Sequence, residues 1–368
     1  MSSSEVTFSK LKDTFQAFLD ISVDPAAVVD DNGIFLLWNK QFEKLLDVET
    51  LEGANCYEFT HPEDIDIDRR LHLECISKER NHYTIRKRYI TANNKVLFVR
   101  LTVRYVCGEH ECFSIAVATD VSKEHEIEEI AQFRQRLLNA IEQENFVLHY
   151  QPIIALKDFP LLNLKHGEPF AHEALVRWVD NDGLVYPDKF LPTLRLLGME
   201  TSLCRLVIDL AIQKISQTDK RICINIEPLT LSLGEFNKIL YSTLDKYGVT
   251  NLSLVVLEIV ESEGLEESQD EKLKFLAKHF LISLDDWGSK YNNLARIGTL
   301  PVHLVKLDKS ILRNKIVTER AIELIHELGM EAIAEGIENQ EQKEWLESIQ
   351  CDFGQGYFFG KPQAELTV

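Results

Sequence analysis

No uninterrupted apolar run in this 368-residue chain approaches the roughly 18 residues that a membrane-spanning helix needs. The N-terminus lacks the apolar segment of a secretory signal peptide, since it reads MSSSEVTFSKLKD. Glycine-rich phosphate-binding loops are also absent, which argues against a protein that consumes ATP or GTP. We therefore expect no membrane association and a location in the cytoplasm.

Cysteines are few and scattered along the chain. The seven are Cys56, Cys75, Cys107, Cys112, Cys204, Cys223 and Cys351. None belongs to a Cys-x-x-Cys pair, which argues against a thiolate zinc site and against a disulfide framework. This cysteine usage is typical of a reducing cytoplasm.

Basic residues are outnumbered by acidic ones, with 40 Lys and Arg against 59 Asp and Glu and a net charge of −19. Non-specific binding to a nucleic-acid polymer or to an anionic membrane needs a basic surface, so neither partner is expected. Hydrophobic residues make up 45% and charged residues 27%, which are the proportions of a globular protein. The length predicts two domains.

Residues 12–122 predict an α+β domain. Apolar runs flank two short turns rich in Asn or Asp, a pattern typical of β-hairpins. The strand-like runs are Val23–Val29, Ile34–Trp38, Tyr83–Thr91, Val96–Val106 and Phe113–Ala118, and the helical segments are Asn39–Leu46 and Ile65–Cys75.

Short motifs in this segment resemble a PAS domain in their order and spacing. They are Asp24-Pro25, Val28-Val29-Asp30, Gly33, Trp38-Asn39, Phe42, His61-Pro62-Glu63-Asp64 and Thr119-Asp120-Val121-Ser122. The resemblance implies a module for signal input or dimerisation. The segment Asn55–Phe59 matches flavin-binding sensors only in part, and His61, His72 and His82 are the candidate ligands for haem. We expect no PAS cofactor, and the sequence does not identify a ligand.

A helical linker is predicted over residues 123–143. Its apolar residues are spaced three or four apart, as on one face of a helix. They are Ile127, Ile130, Phe133, Leu137 and Ile141. This stripe can pack on either domain of its own chain, or it can pair with its copy as a parallel coiled coil. We expect a homodimer, whose helical contact the second alternative would supply.

Strands and helices alternate over residues 144–368. About eight strand-like runs with intervening helices in about 220 residues predict a (β/α)₈ TIM-like barrel. The runs are Phe146–Ile153, Phe170–Arg177, Ile222–Ile226, Leu254–Val260, Leu281–Asp285, Leu304–Leu307, Ala332–Ala334 and a short one near Phe353–Phe359.

Polar side chains recur at the ends of successive predicted strands, where barrel enzymes carry their active sites. They are Glu173, Asn225, Glu258, Asp285 with Asp286, Lys306, Glu335 and Gln355. Singly, each has an ordinary structural explanation, such as a salt bridge or a strand-end cap. As a set they predict one shared site, because burying so many polar groups without partners is costly. Oxygen ligands of this kind suit Mg²⁺ or Mn²⁺ better than zinc.

The second half of the chain strongly resembles the EAL domain, the phosphodiesterase of bacterial cyclic di-GMP. The motifs are Tyr150-Gln151-Pro152-Ile153, Glu173-Ala174-Leu175-Val176-Arg177, Leu257-Glu258-Ile259-Val260-Glu261, Asp285-Asp286-Trp287-Gly288, Val305-Lys306-Leu307-Asp308, Ala334-Glu335-Gly336-Ile337-Glu338 and Gln355-Gly356-Tyr357. The resemblance implies hydrolysis of cyclic di-GMP to linear pGpG by water activated between two metal ions about 3.5–4 Å apart.

The resemblance also assigns roles to individual residues. The implied metal ligands are Glu173, Asn225, Glu258, Asp285, Asp286 and Glu335, and the implied catalytic residues are Lys306, Glu335, Glu173 and Gln355. Glu261, Asp308 and Glu338 would surround the ligands, and Gln151, Arg177 and Pro362 would bind substrate. The loop Trp287, Gly288, Ser289 and Lys290 would couple dimerisation to metal binding.

Three positions depart from the family's pattern. Lys290 replaces a glycine, Arg195 stands where the family has Glu, and Glu227 stands where it commonly has Ser. None of these changes removes a metal ligand. The alternative function is a non-catalytic cyclic di-GMP receptor or a protein-interaction domain, but such relatives typically lose a ligand carboxylate or the lysine, and this chain retains them all. The signature GGDEF of diguanylate cyclases is absent.

Overall fold

The computed structural model describes residues 8–107, 112–227, 230–231, 235–260, 269–288 and 297–366, with side chains from residue 12 onward except that of Val260. These residues form two compact units that divide between Phe133 and Arg134. No helix in the described ranges is both long and apolar enough to cross a bilayer.

The first unit is an antiparallel sheet with helices before and between its strands. Its elements are α1 (Phe8–Ile21), β1 (Ala26–Val29), β2 (Phe35–Trp38), α2 (Lys40–Leu46), a 3₁₀ turn (Cys56–Phe59), α3 (Pro62–Ile76), β3 (His82–Ile90), β4 (Val96–Cys107) and β5 (Cys112–Asp120). The strand order is β2-β1-β5-β4-β3. All five strands predicted from the sequence are present, and α1 is an additional helix that the sequence analysis did not predict.

The two faces of this sheet bury separate apolar clusters, as the period of two along a strand requires. On β1, Ala27 and Val29 join the larger cluster beneath α2 and α3. Ala26 and Val28 join a smaller cluster with Leu19 of α1. Thus α1 covers the face that would otherwise expose apolar side chains.

The larger cluster encloses a polar network. Lys87 Nζ lies 2.5 Å from Asp68 Oδ2 and donates to Thr60 Oγ1 at 2.9 Å. His72 contacts the Tyr57 hydroxyl at 3.1 Å and Ser114 Oγ at 2.9 Å. Both ring nitrogens of this haem candidate therefore have protein partners. Burial lowers the pKa of His72.

One disulfide contradicts the prediction from cysteine spacing. Cys107 and Cys112 are bonded to each other across the β4–β5 hairpin, and five other cysteines are free thiols. Strand pairing sets the two residues directly opposite each other. A search for Cys-x-x-Cys pairs misses this bond because it depends on hairpin register.

The linker forms α4 (Ser122–Glu142), and its apolar stripe divides between two environments. Leu137 and Ile141 are buried, whereas Ile127 and Ile130 are 66% and 52% exposed. Ile141 lies beside Leu206 in the second unit, so the end of the stripe packs within the chain. The part of the stripe that can still pair with a copy is therefore the exposed part.

The second unit is a closed barrel of eight strands. Its elements are β6 (Phe146–Ala155), β7 (Pro169–Asp180), β8 (Gly183–Val185), α5 (Pro187–Leu196), α6 (Glu200–Thr218), β9 (Ile222–Ile226), α7 (Phe236–Tyr247), β10 (Val255–Val260), α8 (Asp270–Leu276), β11 (Leu281–Trp287), β12 (Leu304–Leu307), α9 (Lys315–Glu327), β13 (Glu331–Ala334), α10 (Gln340–Ser348) and β14 (Phe353–Gln355). All eight predicted barrel strands are present, and β8 pairs only with β7.

One strand of the barrel runs against the others. β6 pairs antiparallel with both β7 and β14, whereas the other neighbouring barrel strands are parallel. Between β6 and β7 the chain makes a 3₁₀ turn at Pro160–Leu162 in place of a helix. An antiparallel pair needs no crossover helix, which explains the departure from a regular (β/α)₈ pattern.

The end of the barrel at which the parallel strands begin is filled by apolar side chains. Phe353 stacks on Phe170 with ring centroids 4.1 Å apart and on Phe159 at 4.8 Å. Cys223 and aliphatic residues such as Val256 complete this cluster. The buried side chains of Glu258, Asp285, Lys306 and Gln355 lie nearer the opposite end, where the parallel strands finish.

Candidate active site at the carboxyl ends of the barrel strands

Strand register places three of the predicted residues on the same face of three adjacent strands. Asn225 of β9 is the direct neighbour of Glu258 on β10. Glu173 of β7 is the neighbour of Cys223, which lies two residues before Asn225 and on the same face. The three side chains consequently project into the same part of the barrel interior.

The carboxylate of Glu173 accepts hydrogen bonds from three other side chains of the site. Its Oε1 accepts from Asn225 Nδ2 at 2.9 Å, and its Oε2 accepts from Gln355 Nε2 at 2.7 Å and Lys306 Nζ at 3.1 Å. Burial acts to raise the pKa of Glu173, but Lys306 and the amide donors outweigh burial, so the pKa lies below its usual value. Glu173 is therefore held as a carboxylate.

Four carboxylates converge on the ammonium of Lys306, which is itself buried. Nζ lies 2.8 Å from Glu335, 3.0 Å from Asp285, 3.1 Å from Glu173 and 3.5 Å from Glu258. Burial acts to lower the pKa of Lys306, but the carboxylates outweigh it and hold the pKa well above its usual value. One positive charge thus faces four acidic groups.

Glu258 has two carboxylate oxygens that remain available to a further ligand. It is fully buried, and within the described part of the chain neither of its carboxylate oxygens accepts a hydrogen bond. Burial raises its pKa well above the usual value. A buried carboxylate without hydrogen bonds is strongly disfavoured, and a hard divalent cation with oxygen ligands would satisfy it. The residues present therefore fit a divalent metal.

Asp286 and Glu335 extend the cluster towards solvent. Carboxylate oxygens of Asp285, Asp286 and Glu335 lie within 4.8 Å of one another, close enough to share an ion. Burial raises the pKa of Asp286 above its usual value, and it raises the pKa of Glu335 to about 7. Asp286 has a φ of 57°, a conformation uncommon for a residue other than glycine.

Gln151, one of the predicted substrate-binding residues, contacts this cluster through Gln355. Gln151 Oε1 accepts from Gln355 Nε2 at 3.2 Å, and Gln151 Nε2 donates to the Gly360 carbonyl at 3.0 Å. Pro362 precedes Gln363, whose backbone pairs with Tyr150 on β6. The C-terminal segment that contains Gly360 and Gln363 therefore lies beside β6 and forms part of the site.

Arg177 is buried at the end of β7 with its guanidinium 4.8 Å from the ring centroid of Tyr186. Its Nη1 donates to the Val176 carbonyl at 2.9 Å, while Nε has no partner among the described residues. The contacts of Tyr186 and Gly360 were not predictable from a motif in the sequence. The only signal was indirect, since Tyr186 immediately precedes the helix-starting Pro187.

The three residues predicted to surround the ligands have different positions. Asp308 is half-buried, and its carboxylate accepts from the Ser310 amide at 3.0 Å. Glu338 is exposed ahead of α10. Glu261 lies outside the described residues, as do Ser289 and Lys290 of the predicted regulatory loop.

Two of the departures from the family's pattern pair with each other. Arg195 on α5 donates to the Glu227 carboxylate at 2.8 Å, two residues after Asn225. Each of the two unusual residues is thus the charged partner of the other, and neither departure predicts this pairing by itself.

Trp287 and Gly288, which are the described part of the predicted regulatory loop, are tightly packed. Trp287 is buried, and Gly288 has a φ of 97°. A Cβ added at Gly288 would lie 1.7 Å from Ile311 Cδ1. Glycine is therefore required here for both its conformation and its lack of a side chain.

Replacing Gly288 by alanine should lower the free energy of unfolding by about 1–3 kcal/mol in a urea titration. Gly167 is the matched control, because its φ is 84° and an added Cβ would meet nothing within 4 Å. Gly167→Ala should therefore cost less. The clash also predicts that Gly288→Ala with Ile311→Ala costs less than the sum of the two single changes; additivity would show that Ile311 is not the obstacle.

Comparisons with known proteins agree with this architecture. A family model of the EAL domain matches residues 134–362, and one of the PAS domain matches residues 23–123. The probable cyclic di-GMP phosphodiesterase PdeB of Escherichia coli K12 is 31% identical over 237 residues, which are 61% of this chain and 44% of PdeB. The cyclic di-GMP phosphodiesterase PdeF of the same strain is 28% identical over 65% of this chain and 33% of its own length. The chain thus spans less than half the length of these relatives.

Solved structures are also similar to this chain. A complex of the PaMucR phosphodiesterase with c-di-GMP is 26% identical and covers 63% of this chain and 97% of its own, with a TM-score of 0.56. An EAL domain protein from Listeria monocytogenes EGD-e is also 26% identical, with a TM-score of 0.55, and covers 62% of this chain and 93% of its own. The chain belongs to the EAL domain family, with a PAS domain preceding its EAL domain.

Proposed function

We propose that this chain hydrolyses cyclic di-GMP to linear pGpG in a reaction that depends on Mg²⁺ or Mn²⁺, and that its PAS domain regulates the reaction. The main support is the convergence of four carboxylates on Lys306 together with the orphaned oxygens of buried Glu258. The cyclic di-GMP phosphodiesterases among the relatives support the substrate.

The charge of the site is consistent with this assignment. Cyclic di-GMP is a dianion, and a pocket lined by carboxylates alone would repel it. Two bound divalent cations would reverse the local field, lower the pKa of a water and polarise the phosphoryl group. The ligands would come from Glu173, Asn225, Glu258, Asp285, Asp286 and Glu335.

The remaining residues would orient these groups and the substrate. Gln355 and Asn225 fix the rotamer of Glu173 through their amide donors. Lys306 can donate to the attacking water or to a phosphoryl oxygen from its position among the carboxylates. Arg177 has a buried Nε–H available for a phosphate oxygen, and the Tyr186 ring supports its guanidinium.

A hydrolysis assay on the full chain tests the proposal. We expect pGpG to accumulate with Mg²⁺ or Mn²⁺ and not in EDTA, as measured by ion-exchange chromatography. Binding of cyclic di-GMP in EDTA should be measured in parallel by calorimetry. Binding without turnover in either metal would identify the chain as a non-catalytic receptor and overturn the proposal.

The homodimer remains a prediction, and we propose that the exposed half of the α4 stripe forms its contact. Ile127→Glu with Ile130→Glu should convert a dimer to a monomer in light scattering, because each buried apolar side chain contributes roughly 1.5–3 kcal/mol. Leu137 is unsuitable for this test because it is buried within the chain. The control Gln132→Glu with Asn139→Glu adds the same charge at exposed positions on the opposite face of the same helix and should leave the dimer intact. Retention of the dimer in the Ile127 and Ile130 variant would contradict the assignment.

A further inference from the structure

The disulfide between Cys107 and Cys112 differs from the rest of the cysteines in position. It joins the last residue of β4 to the first residue of β5, which are register partners. Cys107 is exposed and Cys112 is half-buried. A dissolved thiol can therefore reach this bond without unfolding the domain.

The five free cysteines are much less suited to thiol chemistry. Cys75, Cys223 and Cys351 are buried. Burial raises the pKa of Cys56 and of Cys204 to about 12, although each is partly exposed. Because the thiolate is the reactive form, exchange near neutral pH should be concentrated at the hairpin pair.

The bond also closes a very short loop, with a sequence separation of five. The stabilisation that a disulfide gives by restricting the unfolded chain grows with the logarithm of loop length. A loop this short gains little in that way. Making or breaking the bond should therefore act mainly on the end of the hairpin and leave the domain folded.

Two further contacts connect the hairpin end to the rest of the PAS domain. Phe113, adjacent to Cys112, packs edge-to-face on Phe15 of α1 with ring centroids 5.6 Å apart. On the other face, Ser114 Oγ contacts His72 Nε2 at 2.9 Å in the polar interior. A change in pairing at Cys107 and Cys112 would thus affect both the packing of α1 on the sheet and the polar network in the interior.

We propose that Cys107 and Cys112 form a reversible thiol–disulfide site, and that its redox state controls how firmly α1 packs on the PAS sheet. The oxidant is a low-molecular-weight disulfide such as oxidised glutathione. One cysteine thiolate attacks a sulfur of that disulfide and releases one thiol, and the second cysteine displaces the other. The protein loses two electrons and two protons, and the small disulfide becomes two thiols.

Redox titration of the full chain tests the first half of this proposal. The chain is equilibrated in buffers running from reduced to oxidised glutathione, then acid-quenched, denatured and alkylated. Cys107 and Cys112 share the tryptic peptide Tyr105–Lys123, so its mass should shift from two labels to none across the series. A pair that stays labelled in oxidised glutathione, or unlabelled in reduced glutathione, would overturn reversibility.

Hydrogen exchange tests the coupling to α1. We expect amides of residues 12–21 to exchange at least about threefold faster in the reduced chain, since the fraying hairpin loosens Phe113. Cys107→Ser with Cys112→Ser should exchange at the reduced rate in both buffers. Cys56→Ser is the matched control and should behave as wild type. Equal exchange of α1 in the reduced and oxidised wild-type chain would overturn the coupling.

Discussion

Glu173→Gln should lower kcat/KM for cyclic di-GMP by about a hundredfold or more, equivalent to at least about 2.7 kcal/mol of transition-state stabilisation. The substitution keeps the shape of the side chain and removes its charge. It also replaces one acceptor oxygen by an NH₂ group, which would face the donors Lys306 and Gln355 or the donor Asn225. The substitution would thus remove a proposed metal ligand and break the network that orients it at the same time.

The measurement is steady-state hydrolysis at saturating Mg²⁺, with circular dichroism to verify folding. Glu142→Gln is the control, because Glu142 is an exposed glutamate at the end of α4. It should retain wild-type activity. A Glu173→Gln variant that keeps more than about a tenth of the wild-type rate, a loss of only ~1.4 kcal/mol, would show that Glu173 is not a metal ligand of the reacting centre.

The barrel was predictable because its strands are short apolar runs with a polar residue at their carboxyl ends. Asn225 and Glu258 each follow or interrupt such a run, and the barrel rule places them together. The pairing of Arg195 with Glu227 was not predictable in the same way. It joins residues 32 positions apart, and nothing in the local pattern links them.

Long-range packing also explains what the sequence analysis missed in the PAS domain. Helix α1 is fixed by contacts such as that of Phe15 with Phe113, almost a hundred residues later. The disulfide depends on hairpin register in a similar way. The α4 stripe shows a different limit of sequence patterns. Ile130 and Leu137 lie on the same helix face by their spacing, yet only Leu137 is buried. Periodicity identifies a helix face but not what covers it.

Lys306→Met should abolish turnover while cyclic di-GMP still binds within about threefold of the wild-type affinity. In the proposed reaction the ammonium would contribute mainly to the transition state, where negative charge develops on the phosphoryl oxygens. The structure adds a second expected effect, on stability. Lys306 is the cation that faces Glu173, Glu258, Asp285 and Glu335. Removing one partner from a buried charge cluster costs about 3–5 kcal/mol.

The free energy of unfolding of Lys306→Met in EDTA should therefore fall by that amount. Added Mg²⁺ should restore part of the lost stability, because an ion that binds the native state stabilises it by mass action. Urea titrations with and without Mg²⁺ measure this, and calorimetry and kinetics separate binding from turnover. Lys309→Met is the control, since Lys309 is exposed three residues further on. Parallel losses of affinity and rate would assign Lys306 to ground-state binding. Unchanged stability in EDTA would mean that the four carboxylates do not depend on its charge, and that protonation of Glu258 and Glu335, whose pKa values burial already raises, is enough to offset its loss in the metal-free site.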